Sequence, residues 1–163
     1  MISIKSHSGI YTLEVRQQIH TTLDVAWNFF STPSNLTKIT PKHMGFEITS
    51  DNLTQTYEGQ IITYMVGIMP GIKSPWVTEI THVTDQKYFV DEQRFGPYAM
   101  WHHEHIFEEK NGAVIMTDRV SYKPPLGIIG RLMHSLFIKR QLLKIFRHRY
   151  DSLENFFGTP PKL

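Results

Sequence analysis

From Ile10 to His20 apolar and polar residues alternate, with Tyr11, Leu13 and Val15 on one side and Thr12, Glu14 and Arg16 on the other, the period of a half-buried strand. Thr21-Thr22 then caps a short helix that puts Trp27 and Phe30 on one face and ends before Pro33. Ser34 starts a second short helix, which runs to Ile39 and stops before Pro41. Strands follow at about Gly45–Thr49, Tyr57–Gly67, Ser74–Val83 and Tyr88–Phe95, separated by Asp51-Asn52, Met69-Pro70-Gly71 and Asp85-Gln86. Gly96-Pro97 turns the chain into a final hairpin. Beyond Pro124-Pro125 the period changes: Ile129, Leu132, Leu136, Leu143, Phe146, Tyr150, Leu153 and Phe157 recur at helical spacing, predicting one helix over about 126–157. It is so apolar between Ile128 and Phe146 that cover on more than one side is expected, and Gly127 and Gly130 permit close approach to a sheet.

The hairpin carries the most information. Asn111-Gly112 joins two alternating segments, and both residues tolerate the positive φ of a type I′ turn. With these two as the loop, Lys110 faces Ala113, and the ladder pairs Phe107 with Met116, His105 with Asp118, His103 with Val120 and Trp101 with Tyr122. The opposite face pairs Glu104 with Arg119 and Ile106 with Thr117. One face is thus apolar and aromatic with an imidazole and a carboxylate embedded in it, the composition of a lined cavity.

Composition narrows the classes. The 163 residues contain no cysteine, so disulfides, thiolate metal sites and a Cys nucleophile are excluded. Met1-Ile2-Ser3-Ile4-Lys5 lacks the apolar core of a signal peptide, and no apolar run approaches the roughly 20 residues of a spanning helix; a cytoplasmic protein of one domain, 1–163, is the expectation. Eight of the seventeen Lys and Arg lie between Arg119 and Tyr150, where there is no Asp or Glu. Without interleaved stacking aromatics or a motif, this basic surface does not read as a nucleic-acid site. Arg131, Lys139, Arg140, Lys144, Arg147 and Arg149 are either the solvated side of the helix or a weak contact for an anionic membrane surface or a protein partner.

Several side chains could carry chemistry. His105 opposite Asp118 is either a self-satisfied buried pair or an imidazole oriented as a general acid or base. His103 and His105 point the same way, and with Asp118 they could begin a metal site; no second His cluster converges, so no metal and no cofactor are expected. His102 should face solvent beside Glu104. Asp91 and Gln93 share a side with Phe89 and Phe95 and would give the cavity hydrogen-bonding capacity; in the other phase Val90, Glu92 and Arg94 point inward. Tyr64, beside Ile62 and Val66, and Trp76, beside Thr78 and Ile80, are either wall residues or packing for the long helix.

Strand, two short helices, six strands and a long helix is the helix-grip order. The segments Ser31-Thr32-Pro33-Ser34-Asn35-Leu36-Thr37-Lys38-Ile39-Thr40-Pro41, Phe95-Gly96-Pro97-Tyr98 with Trp101 through Phe107, Asp118-Arg119-Val120-Ser121-Tyr122, and Pro125-Leu126-Gly127 leading to Ile145-Phe146-Arg147 together resemble the START-like superfamily of polyketide cyclases and dehydrases, birch-pollen-allergen relatives and, most of all, bacterial ligand-binding proteins. The resemblance implies an α+β fold, a seven-stranded curved antiparallel sheet wrapped around the final helix, with a pocket between them for a hydrophobic or amphipathic small molecule. It does not imply a reaction. Three functions stay open: a binding protein with Trp101, Phe107, Met116 and Tyr122 as apolar wall and His103, His105 and Asp118 as polar anchor; a cyclase or dehydratase moving a proton through His105; and a regulatory adaptor with a collapsed cavity.

Overall fold

The computed structural model describes residues 2–51, 55–69 and 71–158; the turn residues Asn52 and Pro70 lie outside them. The strands are β1 (Ile2–His7), β2 (Ile10–Ile19), β3 (Glu47–Ile48), β4 (Ile61–Met69), β5 (Ile72–Thr84), β6 (Tyr88–Phe95), β7 (Met100–Lys110) and β8 (Ala113–Lys123). They form one antiparallel sheet in the order β1-β2-β8-β7-β6-β5-β4-β3. The sheet has eight strands, not the seven expected, because Ile2–His7 pairs with β2 through a turn at Ser8-Gly9, both at positive φ.

After β2 come α1 (Leu23–Phe30) and α2 (Leu36–Ile39). Thr22 caps α1 by accepting the Val25 N–H at 3.4 Å, and the helix buries Ala26, Trp27 and Phe30. The β7–β8 ladder has the register expected from the turn, from Lys110 with Ala113 to Trp101 with Tyr122. Asn111 and Gly112 both adopt positive φ, as a type I′ turn requires.

The C-terminal helix is continuous but not uniform: α3 (Gly127–Met133) passes through a π-helical turn at His134–Ile138 into α4 (Lys139–Phe157). The expected apolar stripe is wrong over its first half. Ile129, Leu132 and Leu136 are each more than 60% exposed, while Gly130 and His134 are buried. Two contacts fix that rotation. A Cβ on Gly130 would collide with the Pro125 carbonyl oxygen, so the close approach is to the preceding loop and not to the sheet. The His134 ring stacks on Tyr11, with centroids 3.5 Å apart, and its Nε2 lies 2.8 Å from the Tyr122 hydroxyl. From the π turn onward Leu142, Phe146, Arg149 and Leu153 form the buried face, a spacing of three and four that matches one side of a helix.

Three apolar clusters form among the described residues, and two of them flank the polar site. One joins Trp27 and Phe30 of α1 to Phe89, Phe107, Met116 and Leu153. The other joins Leu13 and Val15 to Val120, Tyr122, Leu142 and Phe146. Between them, on both β7–β8 and α4, lie the polar residues His103, His105, Asp118 and Arg149.

Candidate functional site

Five side chains converge on the concave face. His103 Nε2 donates to Asp118 Oδ1 at 3.1 Å, His105 Nε2 to Asp91 Oδ2 at 2.8 Å, and Arg149 Nη2 to His105 Nδ1 at 3.4 Å. Three further charge contacts lack hydrogen-bond alignment: His103 Nδ1 to Asp91 Oδ2 at 3.3 Å, His105 Nδ1 to Asp118 Oδ1 at 3.0 Å, and Arg149 Nε to Asp118 Oδ2 at 3.2 Å. The two imidazoles lie side by side with planes tilted by 39° and centroids 3.8 Å apart, and Phe89 stacks on His105 at 4.2 Å. The expected His105–Asp118 pair is therefore part of a larger network, and the aligned partner of Asp118 is His103.

The hydrogen bonds set the protons. Because Arg149 donates to His105 Nδ1, His105 carries its proton on Nε2. A neutral His103 would turn an Nδ1 lone pair toward the Asp91 carboxylate; an imidazolium turns an N–H there. With His103 charged, two carboxylates, one guanidinium and one imidazolium sum to zero, the state burial favours. Burial opposes charge on His103, but the Asp91 carboxylate and the bond to Asp118 outweigh it and raise its pKa. Burial would likewise raise both acids; His103 instead holds Asp91 far below the usual carboxylate range, and Arg149 foremost does the same for Asp118.

A pH dependence follows for metal-free protein. The depressed carboxylates contribute stability that is complete above about pH 4 and lost as pH falls toward their folded-state pKa values. His103, raised, contributes stability that is complete below about pH 6.5 and lost as pH rises through its folded-state pKa. Urea midpoints measured across pH 3–9 should peak between these limits, and His103→Gln should flatten the alkaline side. An alkaline side of equal slope in wild type and variant would contradict the charge assignment.

Beside the cluster is a cavity of about 530 Å³ between the sheet, α2 and the C-terminal helix. Ile62, Tyr64, Val66, Trp76, Ile80, Phe89 and Trp101 line it from the sheet, Phe137, Leu142 and Phe146 from the helix, and Asp91, His103, His105 and Arg149 at its polar edge. Asp91 is the most accessible of the cluster's side chains, at 18%. Burial, then the Asp91 charge, pushes the Tyr64 phenol upward, so it presents a neutral hydroxyl.

Other expected site residues lie elsewhere. Phe107 and Met116 are sealed in the core by α1, with Trp27 edge-on to Phe107 at 5.5 Å. Tyr122 is fully buried beneath His134. Gln93 bonds the Tyr98 backbone on both sides, at 2.7 and 3.2 Å, and braces the β6–β7 connection. Asp118 stands behind the two imidazoles. On β6, Asp91 faces the cavity but Phe95 is 72% exposed, because register shifts near Val77 and Ile80 break the alternation. Arg94 pairs with Glu79 on the outside, and His102 pairs with Glu92 at 2.7 Å. Arg149, expected as solvated surface or as a membrane or partner contact, is buried instead, on the helix face of Leu142, Phe146 and Leu153.

No family model matches the chain, and no curated protein sequence matches it. Solved structures do. Protein Ms6760 from Mycobacterium smegmatis is 13% identical, with a TM-score of 0.65 over 96% of this chain and 97% of that one. A protein from Arthrobacter aurescens is 11% identical, with a TM-score of 0.69 over 94% and 91%. Major latex-like protein 151 from Panax ginseng is 11% identical, with a TM-score of 0.64 over 93% and 100%. The chain shares with these structures an α+β helix-grip fold, a curved antiparallel sheet with a long C-terminal helix. At these identities the likeness is one of fold.

Proposed function

We propose that this protein, a single helix-grip domain, binds a hydrophobic or amphipathic small molecule between sheet and C-terminal helix. One observation carries the reading: a cavity of about 530 Å³ with apolar walls and its charged groups gathered at one edge, within the roughly 300–1,000 Å³ of small-molecule sites. Trp76, Trp101, Tyr64 and Phe89 bury the apolar body of the ligand, while Asp91, His103 and His105 anchor an oxygen at its end. Gln93, Phe107, Met116, Asp118 and Tyr122 support this wall without touching the ligand. A collapsed-cavity adaptor fits this volume poorly. Titration with an environment-sensitive apolar dye tests the reading: one saturable equivalent, displaced by lipid-like or polyketide-like compounds, is expected.

The helix tip supports a route for loading. Leu126, Met133 and Phe137 border the cavity and are exposed, and Ile128, Ile129, Leu132 and Leu136 project beside them at 61–75% exposure. Arg131, Lys139 and Arg140 flank these apolar residues. An amphipathic surface with basic flanks suits an anionic bilayer, and we assign the tip that contact. Among the described residues no helix is long and apolar enough to cross a membrane. The protein should sediment with vesicles containing phosphatidylserine, and Leu132→Glu/Leu136→Glu should reduce this at least about tenfold, since each buried Leu contributes roughly 1.5–3 kcal/mol. Equal sedimentation of wild type and variant would remove the assignment.

A further inference from the structure

We propose that Asp91, His103 and His105 form a binding site for a first-row divalent transition-metal ion at the polar edge of the cavity. The inference goes beyond small-molecule binding and does not depend on it.

One ligand atom from each of the three residues lies within 4.8 Å of the others. Asp91 Oδ2 is 3.3 Å from His103 Nδ1 and 2.8 Å from His105 Nε2. Zinc–nitrogen and zinc–oxygen bonds of about 2.0–2.2 Å in a tetrahedron space their donors roughly 3.3 Å apart; the Asp91–His103 pair has that spacing, and the other pairs, all within 4.8 Å, would adjust around an ion. All three residues border the cavity, which leaves the remaining coordination position facing the space a ligand would fill.

The groups behind the site are an independent observation. Coordination through His103 Nδ1 and His105 Nε2 leaves each ring one N–H, on His103 Nε2 and His105 Nδ1. These atoms lie 3.1 and 3.0 Å from a single oxygen, Asp118 Oδ1. Asp118 is buried and held from its other oxygen by Arg149 Nε at 3.2 Å. His103 Nε2 already donates to Asp118 Oδ1, and with a metal on Nε2 the His105 Nδ1–H would turn from Arg149 to Asp118; a carboxylate behind the ligating histidines is the arrangement that fixes tautomer and ring orientation in metal sites. Arg149 meets His105 at Nδ1, the side away from the proposed ion.

Two imidazoles and one carboxylate suit Zn²⁺, Co²⁺ or Fe²⁺ over the all-oxygen preference of Mg²⁺ or Ca²⁺. The open position would take an oxygen anion, such as a carboxylate, phenolate or enolate at the polar end of the cavity's occupant. Sequence reading missed the site because it offered Asp118 as the acidic ligand; Asp91, on the neighbouring strand, is the carboxylate on the cavity side.

The test is titration of chelator-treated, full-length protein with Co²⁺, followed by visible absorption, and with Zn²⁺, followed by ¹⁵N NMR of histidine-labelled protein. One saturable equivalent is expected, with Zn²⁺ displacing Co²⁺. Of the nine histidines, His103 at Nδ1 and His105 at Nε2 should show the metal-induced shifts. Asp91→Ala should abolish the Co²⁺ signal, and Asp118→Asn should weaken binding about 10–100-fold. Absence of a saturable equivalent, unchanged binding in Asp91→Ala, or shifts confined to other histidines would overturn the proposal. If Asp91→Ala does not fold, the wild-type NMR experiment decides. Wild-type protein that binds the apolar dye but shows no saturable Co²⁺ equivalent would overturn this proposal alone, so the two readings fail separately.

Discussion

Arg149→Met should destabilise the protein by about 3–5 kcal/mol at pH 8, the range for breaking one side of a buried ion pair. Arg149 is 7% exposed and is the guanidinium that contacts Asp118, which is itself 4% exposed. Methionine keeps most of the apolar stem and gives up the guanidinium, whose carbon lies 5.6 Å from the centre of the Phe30 ring. What it removes is the positive charge that faces the buried Asp118 carboxylate. The cluster then regains neutrality only by taking up a further proton, so the loss should shrink toward pH 5.5. Because total stability is typically about 5–15 kcal/mol, the variant should unfold at a markedly lower urea concentration at pH 8. A loss below about 1 kcal/mol, or the same loss at both pH values, would show that Arg149 does not neutralise Asp118.

The hairpin was legible because its register follows from local chemistry. Asn111-Gly112 admits one turn type, and the side-chain period of two then assigns every pair from Lys110 to Trp101. The fold was legible for the same reason, as element order and periodicity change together after Pro125. What the alternation does not contain is which part of the concave face another element covers. Trp101 and Phe107 share a side of β7, yet α1 seals Phe107 and leaves Trp101 on the cavity.

Other parts were hidden by breaks in period. Register shifts between β5 and β6 turn Phe95 out while keeping Asp91 in. On the C-terminal helix, a glycine and a histidine occupy the buried positions where Ile129, Leu132 and Leu136 were expected, and the reading of hydrophobicity alone picked the wrong face. Arg149 shows the converse: a charge on the buried stripe is intelligible only once Asp118 and His105 are placed opposite it. The strand Ile2–His7 was missed because its short Ile-Ser-Ile-Lys alternation gains meaning only from its pairing with β2.

Trp101→Glu should weaken ligand binding by about two orders of magnitude and preserve the fold. Trp101 lines the cavity, edge-on to Trp76 at 5.1 Å and against Tyr98 at 4.9 Å, but is only partly buried. A carboxylate there can reach water in the empty protein; a bound apolar molecule would strip that water away without replacing it. Forfeiting roughly 2–3 kcal/mol in this way weakens binding about 30–150-fold. The decisive measurement is therefore equilibrium titration of wild type and Trp101→Glu with the same apolar dye, with thermal unfolding of both recorded alongside. A single saturable site in wild type, much weakened in a variant that still unfolds cooperatively, is the result that ligand binding in this cavity predicts; no saturable signal in wild type, or equal affinity in the two proteins, would contradict it.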